Sequence, residues 1–249
     1  MRRLPLAAIV LLGVLLTGCS ILTSRLAGSG PRPEEYFEGP AADLAGAIRS
    51  RDRGRIDELI SSGADIEATG RLELTMLQYA VLTSSLPGVE ALLAAGADPD
   101  RIGASVTALH LAVDEPEVMP ALLAAGADPD IANPGTGETP LFRVCVSNQD
   151  AGFELLVQAG ADLDHPDLQG LLALHHCAMT SKGKLILRML ELGVDPLAPY
   201  RDGETFQDLY FNYPPPEVLN EQGKQDRRAV VAWLLGHGYD IVPEAEPYR

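Results

Sequence analysis

The residues best equipped for chemistry are three histidines, three cysteines and a series of closely spaced aspartates. His175, His176 and Cys177 are consecutive, and together they offer imidazole and thiol ligands of the kind that hold zinc. Neighbouring residues on a helix diverge by about 100°, so this trio does not converge on one tetrahedral ion. Asp98 and Asp100, Asp128 and Asp130, and Asp162 and Asp164 supply paired carboxylates, the hard oxygen donors that calcium takes. In tight turns the same residues accept backbone amides, and that reading is the stronger one here. There is no Gly-x-Ser-x-Gly elbow, His-Glu-x-x-His, phosphate loop or Cys-x-x-Cys, so no catalytic residues, metal or cofactor are assigned. A hydrolytic or metal-dependent enzyme using these histidines and aspartates is kept as the alternative.

The elements that carry these residues recur. Apolar helical runs end six times in Gly, a small or aromatic residue, and Asp, beginning at Gly63, Gly96, Gly126, Gly160, Gly193 and Gly238, at spacings of 33, 30, 34, 33 and 45 residues. About ten residues after each of the first five Asp residues stands a second landmark: Thr75-Met76-Leu77-Gln78, Thr107-Ala108-Leu109-His110, Thr139-Pro140-Leu141-Phe142, Leu172-Ala173-Leu174-His175 and Thr205-Phe206-Gln207-Asp208. Thr caps a helix N-terminus, Pro suits its first turn, and Gly tolerates the left-handed turn that ends it. A period in the thirties is the signature of one supersecondary unit copied and stacked. Each unit reads as helix, turn, helix, loop.

These motifs resemble ankyrin repeats, with Thr107-Ala108-Leu109-His110 and Gly126-Ala127-Asp128 as close matches. The resemblance implies an all-α ankyrin-repeat solenoid of about six helix-turn-helix units with hairpin-like loops. The repeats fall near 41–66, 67–99, 100–129, 130–163, 164–196 and 197–241, within a domain spanning 41–249. It also implies that His110 and His175 serve structure by bonding nearby backbone. Leu172 departs from the capping Thr, and the last copy carries an insertion around Tyr210, Phe211, Tyr213 and Pro214-Pro215-Pro216. That insertion either serves a binding face or covers the end of the stack, the second being favoured. Trp233 falls at a position the repeat buries. The charged first copy, with Arg49, Arg53, Arg55 and Glu58, reads as an N-terminal cap.

Ankyrin-like recognition uses loop tips and the exposed turn of each first helix. The matching positions are Leu82, Thr83, Asp114, Glu115, Val146, Ser147, Met179 and Thr180 on helices, and Arg71, Leu74, Val106, Glu138, Gln169, Leu171, Arg201 and Glu204 in loops. Leu82, Val146 and Met179 recur at one position of three copies, and form either an apolar protein-binding stripe or extra core.

Arg2 and Arg3 precede an apolar run from Leu4 to Leu16, too short for a permanent span and suited to an export signal. Leu16-Thr17-Gly18-Cys19 resembles the lipobox of bacterial lipoproteins, which implies a signal over 1–18 and acylation at Cys19. Ser20 after it resembles the outer-membrane sorting default, with the protein facing the periplasm. Residues 19–40, rich in Ser, Gly and Pro, read as a flexible tether.

With 19 Lys and Arg against 35 Asp and Glu, the chain carries a formal charge of −16. Such a surface repels phosphate backbones and anionic lipid heads, so nucleic acid is excluded as a partner and the membrane is reached through the lipid alone. The expected partner is another protein, met by a monomer acting as a scaffold or as an immunity-type inhibitor of a delivered toxin. The charge equally serves to keep the chain soluble. In repeat phase Cys145 and Cys177 occupy adjacent positions on the first helices of neighbouring copies. Helix axes 8–10 Å apart exceed the roughly 7 Å reach of a disulfide, so two buried thiols are expected.

Overall fold

The computed structural model describes residues 31–147, 150–201 and 203–249, so the signal segment, Cys19 and the start of the tether lie outside the described residues. The described chain is helical, with tight loops and no β-strand, and divides into two compact units at Ala104 and Ser105.

The first unit holds α1 (Pro33–Tyr36), α2 (Gly39–Ser50), α3 (Arg53–Ser61), α4 (Met76–Leu82) and α5 (Leu86–Ala94). Helix α3 starts where Asp52 accepts the Arg55 amide at 3.0 Å, and α5 where Ser85 accepts that of Gly88. Helix α4 begins with a reciprocal cap, in which the Thr75 hydroxyl accepts the Gln78 amide and the Gln78 side chain accepts that of Thr75. Ile48, Ile56, Met76, Tyr79, Val89 and Leu92 fill the core.

Residues 31–40 depart from the tether reading. Pro33 starts a helical turn, Gly39 starts α2, and Phe37 is buried edge-on to Tyr79 with ring centroids 5.4 Å apart. The Tyr79 hydroxyl donates to the Pro31 carbonyl at 2.8 Å. The reason is composition: Tyr36 and Phe37 give this stretch apolar surface to bury, which a solvated linker lacks. The segment covers the start of the unit, a task the sequence assigned to charged residues alone.

The second unit holds α6 (Ala108–Ala112), α7 (Met119–Ala124), α8 (Pro140–Val144), α9 (Ala151–Gln158), α10 (Ala173–Met179), α11 (Gly183–Glu191), α12 (Phe206–Asn212) and α13 (Glu221–Gly236). They pair as α6 with α7, α8 with α9 and α10 with α11, while α12 packs on α10 and α13 on α11. Leu109, Val118, Leu122, Leu141, Phe153, Leu156, Ile186, Met189 and Val230 pack between the pairs.

In three of the tetrads the fourth residue joins neighbouring copies. Gln78 Nε2 donates to the Gly103 carbonyl at 2.8 Å, and the Nε2 atoms of His110 and His175 reach the carbonyls of Glu138 and Ala198 at 3.1 Å. Phe142 occupies the same position in the third tetrad and has no polar atom to offer. The buried Thr139 hydroxyl, which a polar residue at 142 would satisfy, makes no hydrogen bond.

At that junction a disulfide joins Cys145 to Cys177, correcting the expectation of free thiols. The expectation measured between helix axes, whereas α-carbons ride about 2.3 Å off each axis. Facing α-carbons of helices 8–10 Å apart therefore stand only about 3.4–5.4 Å from each other, and the observed Cα separation is 4.6 Å.

A further correction concerns the C-terminal end. Trp233 is only half-buried and stacks on His237 and Tyr239, because it sits on the flank of α13, whose inner face is taken by Val230, Val231 and Leu234. The insertion closes around Arg227, which is 1% exposed. Its guanidinium donates to the Pro214 carbonyl and the Tyr248 hydroxyl at 2.8 Å and lies beside the rings of Tyr210, Phe211 and Tyr248.

Candidate protein-binding surface

Each hairpin loop is shaped locally before it can present anything. The first Asp of every Gly-x-Asp motif from Asp65 to Asp195 accepts the amide two residues on, as in Asp98 with Asp100 and Asp128 with Asp130 at 2.9 Å. These carboxylates are thus turn-formers. In the first unit the next loop ends in Leu72 and Glu73, both left-handed at φ 61° and 60°, which holds the Leu72 side chain out in solvent. Arg71 is exposed beside it, and Thr83 is half-buried with its hydroxyl on the Tyr79 carbonyl.

The second unit presents Val106, Asp114, Glu115, Glu138, Met179 and Thr180 as half-buried groups, and Val146, Gln169, Arg201 and Glu204 as exposed ones. Val146 is 46% exposed and Leu168, at the tip of the loop before α10, 71%. Arg201 donates to the Gln169 side chain at 2.9 Å, so two successive loop tips are tied together. The Tyr200 hydroxyl donates to the Glu204 carboxylate at 2.7 Å, and burial with that carboxylate pushes the phenol pKa upward. Asp114 accepts the Ser147 hydroxyl at 2.6 Å and faces Arg143 at 3.6 Å, fixing the edge next to Val146. Lys182 donates to the Ser147 carbonyl.

Four residues assigned to this surface from the sequence do not reach it. Leu74 and Leu171 are buried at 1% and 3%, Leu82 at 9% and Ser147 at 3%. Leu74 and Leu171 immediately precede their helices, where the chain turns inward to place the capping residue, and they fill the space beneath the loop. Leu82 belongs to core in its own unit, so its share in an apolar stripe is withdrawn.

One polar cluster went unseen in the sequence. His176 Nε2 stands 3.2 Å from Asp167 Oδ2, and His176 Nδ1 stands 3.9 Å from Glu138 Oε1. Asp167 Oδ1 accepts the amides of Gln169 and Leu171 at 2.7 and 2.9 Å. Burial pushes the Asp167 carboxyl up, but the hydrogen bonds from His176, Leu171 and Gln169 outweigh it and leave it below the ordinary carboxylate value. Phe142 abuts the His176 ring edge to face. The available signal was a break in the repeat: positions equivalent to Asp167 are Gly70, Ile102, Pro134 and Tyr200.

His110 and His175 are structural. Nδ1 of each accepts the amide of its helix cap, Thr107 at 3.2 Å and Leu172 at 2.9 Å, so Nε2 carries the proton toward the neighbouring carbonyl. Burial pushes the His110 pKa down to about 4 and moves that of His175 the same way.

No helix among the described residues is long and apolar enough to cross a membrane. No curated protein matches the chain in sequence. The family profile of ankyrin repeats (3 copies) matches residues 109–199, from Leu109 in α6 to the loop after α11. Residues 109–199 thus carry ankyrin repeats, a module for protein–protein interaction.

Proposed function

We propose that this protein is a lipid-anchored ankyrin-repeat binder of the bacterial envelope, acylated at Cys19, facing the periplasm from the outer membrane and holding another protein without catalysis. The observation that carries the location is the Cys145–Cys177 disulfide between neighbouring repeats. Such bonds persist in oxidising compartments and are rare in reducing ones. The short apolar run behind Arg2 and Arg3 and the Leu-Thr-Gly-Cys sequence at 16–19 point the same way.

The binding reading rests on the repeats together with the exposed set around Val146, Leu168, Gln169 and Arg201. With a net charge of −16, the complementary partner is neutral or basic. Scaffold and immunity roles share this surface and differ in their genetics. Loss of an immunity protein is tolerated only when the matching toxin is absent, whereas loss of a scaffold weakens its complex in every condition.

A photo-crosslinker placed at Val146 or Met179, followed by capture from detergent-solubilised envelopes, tests the reading directly. One dominant protein adduct, lost in Val146→Glu at unchanged melting temperature, is the expected result. Uniform labelling of abundant proteins overturns the binding surface. Retention of Cys19→Ser in the membrane fraction overturns the anchor.

A further inference from the structure

We propose that Glu138, Asp167 and His176 form a divalent-cation site, with zinc the best-suited ion, that ties together the loops preceding α8 and α10. One ligand atom from each residue lies within 4.8 Å of the other two. The site is distinct from the His175-His176-Cys177 run: its ligands are a Glu138 oxygen from the loop before α8 and the His176 Nδ1 from α10, with Asp167 behind the ring.

The hydrogen bonds define how an ion sits. His176 Nε2 is committed to Asp167 Oδ2, and Asp167 is itself fixed by two backbone amides. With Nε2 donating to Asp167, the neutral form of the ring directs its Nδ1 lone pair toward the Glu138 carboxylate, 3.9 Å away. Two lone-pair carriers facing across such a gap repel, and a cation between them turns that repulsion into two bonds. Tetrahedral zinc with bonds of about 2.0–2.1 Å puts its ligand atoms roughly 3.4 Å apart, so closure takes about half an ångström. Glu138, the most exposed of the three side chains at 22%, supplies the movement. Asp167 then acts as the carboxylate that orients a metal-bound imidazole through its other nitrogen, and water completes the shell.

Charge and repeat pattern both support the assignment. Two carboxylates around one imidazole leave a negative excess even when the ring is protonated. The fold does not demand the trio, because equivalent positions of other copies hold Gly70, Ile102, Pro134 and Tyr200 for Asp167, and Tyr79, Leu111, Arg143 and Leu209 for His176. The polar set appears at one junction, with its ring seated against Phe142.

The test is calorimetric titration of the purified, chelator-treated full chain with zinc chloride near neutral pH. One saturable site per chain is expected, with a rise in melting temperature on loading. Glu138→Gln and His176→Gln should each weaken binding at least about tenfold, and Asp167→Asn should weaken it through loss of ring orientation. Glu138→Gln keeps the backbone carbonyl that His110 uses, so its metal-free melting temperature should match the parent. No saturable uptake, or uptake unchanged in Glu138→Gln and His176→Gln, overturns the site and leaves a proton on Nδ1 as the only occupant.

Discussion

Phe142 meets His176 edge to face, with ring centroids 4.9 Å apart and planes at 88°, at the junction where the tetrad's fourth residue makes no bond to the next copy. At other junctions Gln78, His110 and His175 carry that bond. Here a covalent link and hydrogen bonds take over: the Cys145–Cys177 disulfide, the Lys182 ammonium donating to the Ser147 carbonyl and the Leu168 N–H donating to the Thr136 carbonyl.

The disulfide should therefore carry much of this junction. It links residues 32 apart in sequence, and closing a loop of that size in the unfolded chain stabilises the fold by about 3–4 kcal/mol. Reduction, or the Cys145→Ala/Cys177→Ala pair, should lower the melting temperature by several degrees. An unchanged melting curve in reductant would remove the disulfide from the account of stability.

The histidine bridges make the protein acid-sensitive. Folded His110 titrates at about 4, whereas an unfolded histidine titrates near about 6.5. Between these values the unfolded chain binds a proton that the folded one refuses, so stability is full above the upper value and drains away as pH falls toward the lower. For His110 the loss approaches about 3 kcal/mol, and His175 adds in the same direction. A proton on Nδ1 would face the Thr107 amide and break the cap. Gln78 already performs both bonds with a side chain that does not titrate. His110→Gln should accordingly keep neutral-pH stability and flatten the acid limb of a melting temperature against pH plot.

Much of this architecture is legible in the sequence because caps and turn glycines act locally. Thr75, Asp52 and Gly63 announce helix ends by their own conformational preferences, and their period reports the stacking. What escapes is set by contact between loops. Asp167 and His176 are nine residues apart and meet only because the intervening turn folds back on α10. Leu74 and Leu171 read as loop residues and prove buried because a loop's last residue turns under it. Cys145 and Cys177 were misjudged through the difference between axis and α-carbon distances.

Gly183 is required by packing. A β-carbon there would strike the Tyr210 hydroxyl and come within 2.5 Å of the Asp226 β-carbon, so α11 lies against α12 and α13 without room for a methyl group. Alanine, although the better helix former, should destabilise the protein by about 1–3 kcal/mol through overpacking. Urea unfolding of Gly183→Ala measures it, and a stabilised variant would show that the Tyr210 ring yields.

Arg227 organises the C-terminal end, and its removal should be among the costliest single changes. Among the described residues no carboxylate pairs with the buried guanidinium, which is held by the Pro214 carbonyl, the Tyr248 hydroxyl and three aromatic rings. Alanine leaves those acceptors buried and unpaired beside a cavity, a combination that costs about 3–5 kcal/mol. Lysine keeps the charge but lacks the planar fork that reaches both partners, so Arg227→Lys should recover only part of the loss. Urea unfolding of both variants, with Tyr248→Phe to isolate the hydroxyl bond, separates these contributions. Equal stability of Arg227→Ala and the parent would mean that the insertion and the terminal turn close the end of the unit without their central cation.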